Sequence, residues 1–278
     1  MKRTGTILLF LLALAAVFPV LFLFCGSFMG NMELKTLLET VLGGADGFVR
    51  WRIFPLYPTM RSYVELLMDS PEFFVMFWNS IKLTGGILAG HLLFALPAAW
   101  GFAKYDFPCR RFLFTCYMVL MMLPFQVTMP GNYLVLDRLG LLDNQWGIIL
   151  LAAFSAFPVF LMYRFFCGIP DSLLEAARLD GAGEIRLFFS VGMPLGSSGI
   201  LSVMVLGFLE NWSMIEQPMA FLKTKSLWPL SLYLPEIDMA SAGQAFAASV
   251  VLLVPALFVF LAGQDYLEQG IISTAVKE

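Results

Sequence analysis

Chemistry needs polar side chains, and this sequence keeps them scarce: 13% of its 278 residues are charged and 59% are hydrophobic. His91 is its single histidine, and one imidazole cannot build a typical zinc site. There is no His-Glu-x-x-His pair, and Ser-His-Asp catalysis has no recognisable elbow. A Gly-x-x-x-x-Gly-Lys-Ser/Thr phosphate loop is also absent from the sequence. Asp180-Gly181-Ala182-Gly183 is glycine-rich, but it lacks the following lysine and a preceding strand, so the chain is not expected to bind ATP by itself. The second half offers instead one polar-containing stretch between two apolar runs, 170–194.

That stretch punctuates itself. Pro170 has no backbone donor and closes whatever precedes it. Ser172 followed by Glu175 has the spacing of a capping box. Leu173, Leu174 and Ala177 set an apolar stripe at helical spacing. Gly181 and Gly183 are expected to end the short helix, Gly181 in a left-handed conformation. Ile185, Leu187 and Phe188 begin a second amphipathic piece, and Pro194 opens the next apolar run. Glu175 has two readings: a carboxylate that caps the helix of Ser172, or a charge contact with a partner.

Glu175-Ala176-Ala177, three residues, Gly181, nine residues, Val191, one residue and Met193-Pro194 resembles the EAA loop of ABC importer permeases. Val191 and Met193 stand where the motif has Ile and Leu. The Leu-Asp-Gly-Ala version, 179–182, is most similar to the carbohydrate branch, the maltose-type permeases. The similarity extends from Pro58-Thr59 and Asn79-Ser80 to Gln264-Asp265-Tyr266 and Ala275-Val276-Lys277. The resemblance implies a pair of short cytoplasmic helices that docks in a cleft of an ATPase subunit, with coupling residues Glu175, Ala176, Ala177, Asp180, Gly181 and Pro194. It also implies partners: a second, homologous permease, two ATPase subunits that carry ATP and Mg, and an extracytoplasmic solute-binding protein. No cofactor is expected in this chain. ATP-driven closure of the ATPase pair would squeeze the docked loops and switch a cavity from inward- to outward-facing. Glu210-Asn211-Trp212 resembles a Glu-x-Trp-Asn segment of sugar permeases, although Asn211 precedes the Trp and Ser213 follows it. These three are candidate solute-pathway residues, against the plainer reading of Trp212 as an interface anchor.

The elements that position these residues are apolar runs. A mean hydropathy of +0.81 and the deficit of charge argue for lipid as solvent, since soluble domains average about 25% charged residues. The net charge of −3 favours no nucleic-acid partner. Cys25, Cys109, Cys116 and Cys167 fall within or at the edge of apolar runs, so no disulfide framework is implied. Lys2 and Arg3 precede a run from Ile7 to Phe28. At ~1.5 Å per residue that run spans a ~30 Å hydrocarbon core, whereas a secretory h-region is only about 7–15 residues. It is read as an uncleaved membrane helix.

An all-α, polytopic membrane fold with six transmembrane helices is expected, at about 7–28, 73–102, 112–129, 146–163, 195–214 and 243–263, in one permease domain spanning 1–278. Between the first two runs, Met32 to Leu42 forms a short amphipathic helix ended by Gly43-Gly44, and Arg50-Trp51-Arg52 suits a membrane–water interface, although a surface loop that packs on its neighbours is the preferred reading. Gly85, Gly86 and Gly90 offer close helix contact, and Pro97 implies a kink. His91 lies deeper. It is either functional by virtue of its depth or a neutral ring bonded between helices, and the second reading is preferred. Six crossings put both termini on one side. Placing them inside gives the short inner segments, with Lys104, Arg110, Arg111, Arg178 and Arg186, the positive-inside sign in a bacterial-type plasma membrane.

The function expected is the permease subunit of an ATP-driven importer of a sugar or oligosaccharide, without an ATPase site of its own. An importer of another solute, such as a polyamine or amino acid, is the alternative. An intramembrane enzyme, the less favoured alternative, would need converging acids or histidines at membrane depth, and the sequence offers few. A stand-alone secondary transporter would leave the amphipathic 171–190 stretch unexplained.

Overall fold

The computed structural model describes residues 2–42, 52–233 and 241–275. Its elements are helical: α1 (Lys2–Ser27), α2 (Asn31–Leu42), α3 (Arg61–Met68) and α4 (Pro71–Gly90), a π-turn at His91–Ala95, then α5 (Leu96–Lys104), α6 (Arg110–Met122) and α7 (Phe125–Arg138). There follow α8 (Gln145–Ala153), α9 (Ala156–Cys167), α10 (Asp171–Leu179), α11 (Glu184–Leu187), a second π-turn at Phe188–Gly192, α12 (Met193–Leu195) and α13 (Ser197–Trp212). The last are α14 (Glu216–Phe221) and α15 (Ala242–Ala275). The all-α membrane class is what the composition called for.

Among the described residues, four helical stretches are long and apolar enough to cross a membrane: Gly5–Ser27, Pro71–Lys104, Gln145–Cys167 and Ala242–Glu268. There are six if each of two bent pairs is one span. The run expected at 112–129 is such a pair. α6 and α7 meet at 108°, broken at Leu123-Pro124, because Pro124 forces its neighbour into extended backbone. The run expected at 195–214 belongs to the other, in which Glu184–Leu195 turns 72° into α13. The kink expected from Pro97 takes the form of the π-turn that begins at His91, which absorbs the hydrogen bond that proline cannot make.

The chain divides into two compact units, one of Met1–Phe77 with Leu230–Pro255, the other of Trp78–Pro229 with Ala256–Glu278. In the first, Gly26 lets the ring of Phe246 approach to where a Cβ would stand 2.7 Å away. Ser27 Oγ donates to Phe24 O at 2.7 Å and shares a 2.8 Å hydrogen bond with Tyr63 OH. Of the apolar residues of α2, Leu34 and Leu37 are buried, whereas Met32 is exposed; Gly43-Gly44 and Arg50-Trp51 lie outside the described residues.

The second unit holds two apolar cores. One gathers Ala95, Leu96, Ala99, Trp100 and Phe102 with Val159, Leu161, Met162 and Phe166, then Ile169, Leu174, Leu187 and Val203. It therefore includes a residue from each short helix of the 170–194 stretch. The other joins Leu83 and Ile87 to Leu136, Ile148, Ile149, Ala152, Phe221 and Leu222. Gly86 faces Ile149 and Gly90 faces Ala153 at distances a Cβ would not permit, whereas Gly85 meets nothing. Two of the three glycines thus serve the close packing expected of them.

Candidate coupling loop and solute cavity

α10 starts two residues earlier than the capping-box spacing predicts. Pro170 is the N-cap, in extended backbone at φ −61°, ψ 133°, and no side chain caps the helix. Ser172 is therefore inside the first turn, and Ser172 with Glu175 does not form the reciprocal cap. The proline's fixed φ sets the entry instead, and Asp171 supplies negative charge at the positive end of the helix dipole. Of the expected stripe, Leu174 is buried and Ala177 half-buried, but Leu173 is exposed. The i,i+3 pair faces the core alone.

The helix ends as expected at Gly181, with φ +82°. Gly181 N–H donates to Arg178 O and Ala182 N–H to Ala177 O, both at 3.0 Å. These are the two bonds of a Schellman motif, which satisfies the last carbonyls of α10. Gly183 lies at φ −70° and needs no glycine there. Asp180 is the exposed C-cap, and Glu175, Ala176 and Pro194 are also exposed.

Four residues not singled out by sequence reasoning hold this loop. Lys104, the last residue of α5, donates from Nζ to Ile169 O at 2.6 Å and to Asp171 Oδ1 at 2.8 Å. Tyr105 OH donates to Glu184 Oε2 at 2.7 Å. Arg178 grips the same carboxylate with two nitrogens, Nε to Oε1 at 2.8 Å and an NH2 contact to Oε2 at 3.2 Å. The Arg178 bonds, then that of Tyr105, depress the Glu184 carboxyl to about 2. The Lys104 bond and charge lower that of Asp171. Arg178 and Glu184 stand six apart across a turn, and Lys104 is remote in sequence, so no helical spacing announces the cluster.

The loop also turns large apolar groups outward, beside its exposed charges. Leu179 is 89% exposed and Ile185 is 78% exposed. Both belong to the two short helices that Leu174 and Leu187 fix to the core.

Glu210 and Asn211 are brought to a cavity of roughly 560 Å³ inside the second unit, along with Thr128, Asn132, Ser155 and Gln217. Both halves of the broken α6–α7 pair contribute to its wall. Trp212 does not line it: it is 3% exposed and stacks on Phe208 with ring centroids 5.4 Å apart. One turn of helix separates Trp212 from Phe208, so the ring lies back along its own helix. It is neither a platform in the cavity nor an anchor at a lipid interface. His91 Nε2 bonds Ala152 O at 3.0 Å, and the ring is buried between α4 and α8. This is the inter-helix bond expected of it. Among the described residues no group of three or more His, Cys, Asp or Glu could hold a metal ion.

A family described as the binding-protein-dependent transport system inner membrane component matches residues 91–273, from the π-turn through the loop and cavity to α15. The chain belongs to this family. It is a multi-pass permease subunit of an ABC importer and not an enzyme. Among its relatives, the permease is 26% identical to the arabinooligosaccharides transport system permease protein of Halalkalibacterium halodurans, over 99% of each chain. It is 27% identical to that of Bacillus subtilis, over 98% of this chain and 94% of the other. The sn-glycerol-3-phosphate transport system permease protein of Pectobacterium atrosepticum is 26% identical over 94% and 92%. The fold is similar to that of a chain in a bacterial ABC transporter involved in import of the acidic polysaccharide alginate, with TM-score 0.77, 23% identity and 95% of each chain covered.

Proposed function

We propose that the permease forms part of the pathway of an importer for an uncharged oligosaccharide and takes its energy through the 170–194 loop. The exposed pair Leu179 and Ile185 carries the reading. Large apolar side chains on a rigidly anchored polar loop are the mark of a surface covered by another protein. Glu175, Ala176, Asp180 and Gly181 lie on the same short helix or its cap and would complete that surface; Ala177 faces half inward and Pro194 follows the second turn. The partner would be one of two ATPase subunits carrying ATP and Mg. A second, homologous permease and an extracytoplasmic solute-binding protein would complete the importer. Both termini and the loop would then face the cytoplasm, the side favoured by the excess of Lys and Arg.

The cavity bears on the solute. Its polar wall consists of amides, hydroxyls and the His91 imidazole, with one carboxylate, Glu210, and none of its described lining residues is Lys or Arg. Such a wall pairs with sugar hydroxyls and leaves a phosphate or polyuronate without a counter-charge. Relatives named for arabinooligosaccharides agree with this better than those named for sn-glycerol-3-phosphate. The test is uptake by cells that carry or lack the permease, with labelled arabinotriose, sn-glycerol-3-phosphate and spermidine as probes. Loss of arabinotriose uptake alone is expected. Loss of glycerol-phosphate or spermidine uptake with sugar uptake intact would refute the sugar reading.

A further inference from the structure

Two consecutive residues hold both ends of the 170–187 loop. The Lys104 ammonium is 4% exposed, although its partner Asp171 is 79% exposed. The lysine head is therefore committed to the loop's entrance, where it meets Ile169 O and Asp171. Its neighbour Tyr105 takes the other end through Glu184, which Arg178 ties back to α10. The apolar contacts of Leu174 and Leu187 with the core resist separation but are non-directional, and they allow sliding. Hydrogen bonds from a buried ammonium do not, because an ammonium that lets go of its partners is left uncompensated. α5 continues back through the π-turn to His91 at the cavity, 13 residues from Lys104, or about 20 Å along a helix.

We infer that Lys104 and Tyr105 are a two-point tether that makes α5 and the 170–187 loop one rigid lever, carrying displacement of the loop to the cavity wall. Lys104 and Tyr105 are positioning residues in this scheme. The inference rests on the reading that the loop docks an ATPase subunit.

The test uses the assembled transporter, with the four native cysteines replaced by serine and spin labels at Ser172→Cys on the loop and Leu93→Cys on the π-turn. Pulsed electron–electron distance distributions are recorded without nucleotide and after trapping with ATP and vanadate. The parent is expected to give one narrow distance that trapping leaves unchanged. Lys104→Met is expected to keep the ATPase subunit bound yet broaden or split the distribution on trapping. Lys104→Arg, which can still reach both oxygens, is expected to restore the parental trace. The Tyr105→Phe, Glu184→Leu double variant should be no broader than Glu184→Leu alone, since each removes the Tyr105–Glu184 bond. A parental distance that shifts on trapping overturns the lever. So does an unbroadened Lys104→Met, a Lys104→Arg that behaves like Lys104→Met, or a Lys104→Met that releases the ATPase subunit. Failure of the docking reading is seen separately: Leu179→Asp would then leave ATPase retention intact, whatever the distances show.

Discussion

Two helices of this permease end in the same way and are used differently. α7 closes on Gly140 at φ +64°, with Gly140 N–H on Asp137 O and Leu141 N–H on Leu136 O. α10 closes on Gly181 with the equivalent pair of bonds. Neither glycine has anything within 4 Å of where a Cβ would stand. The loops diverge after the shared motif. Beyond Gly140 the side chains are spent on backbone: Asp143, itself at φ +53°, accepts from Lys223 N–H at 2.8 Å, Thr224 N–H at 2.9 Å and the Thr224 hydroxyl. Asn79 Nδ2 donates to Ser226 O and Trp228 O, and Gln145 donates to Leu227 O. Phe221 and Leu222 are buried beneath this clasp. Around Gly181 the charged groups Arg178 and Glu184 pair with each other, and Leu179 and Ile185 face outward. Identical local closure thus gives a rivet in one place and a presented surface in the other. Leu139 and Leu179, just before the two glycines, are both exposed; the difference lies beyond them, where Phe221 and Leu222 are buried under the hydrogen bonds of Asp143 but Ile185 is left exposed.

Substituting the two glycines breaks the comparison most sharply. A β-branched residue at either φ costs on the order of 1–3 kcal/mol of strain, and the open space means that backbone conformation alone sets the cost. Gly181→Val is expected to insert normally but lose ATPase co-purification and solute uptake, because it misdirects α10 and α11 together. Gly140→Val should instead lower the thermal midpoint of the solubilised transporter with ATPase retention kept. Gly181→Asn, a side chain tolerant of the left-handed region, should be milder than Gly181→Val. Equal transport in Gly181→Val and the parent would reduce the loop to a connector.

Next in size is the presented surface. Leu179→Asp or Ile185→Asp leaves the core untouched and should cut ATPase retention by about tenfold or more, in line with the loss of a buried interface anchor. Pull-down of the ATPase subunit from solubilised membranes measures it, with expression level as the control. Glu175→Ala removes an exposed charge and no cap, so any loss of retention it causes reports the partner contact directly.

The clasp gives a smaller effect. Asp143→Ala removes three hydrogen bonds to the 223–224 backbone and side chain, which also hold its carboxyl below the usual range. A lower unfolding midpoint with unchanged ATPase retention is expected.

The smallest effect concerns pH. The Glu184 carboxyl is depressed to about 2, so its contribution is complete above the ordinary carboxylate range and is lost only as pH falls through about 2. ATPase retention should therefore be flat between about pH 8 and pH 5 in the parent and in Glu184→Gln alike. A parental transition in that window would require another titrating group at the loop.

The sequence alone determined the solvent, the helical class and the place of the loop. Apolar runs long enough to span lipid leave one fold class open, because every backbone group must then be bonded within its own helix. The turn at Gly181 was legible because it depends on one residue's backbone freedom. The start of α10 was misjudged because a capping box and a proline entry share the same few residues, and only the fold shows which end Lys104 holds. Trp212 was ambiguous for a related reason: the sequence puts an indole near a helix end but not on a face of the helix. The cavity that gathers Glu210 and Asn211, and the tether from Lys104 and Tyr105 to Asp171 and Glu184, were decided by tertiary structure alone. Those contacts join residues tens of positions apart, and a hydrogen bond between distant segments leaves no period or spacing in the sequence from which it could be read.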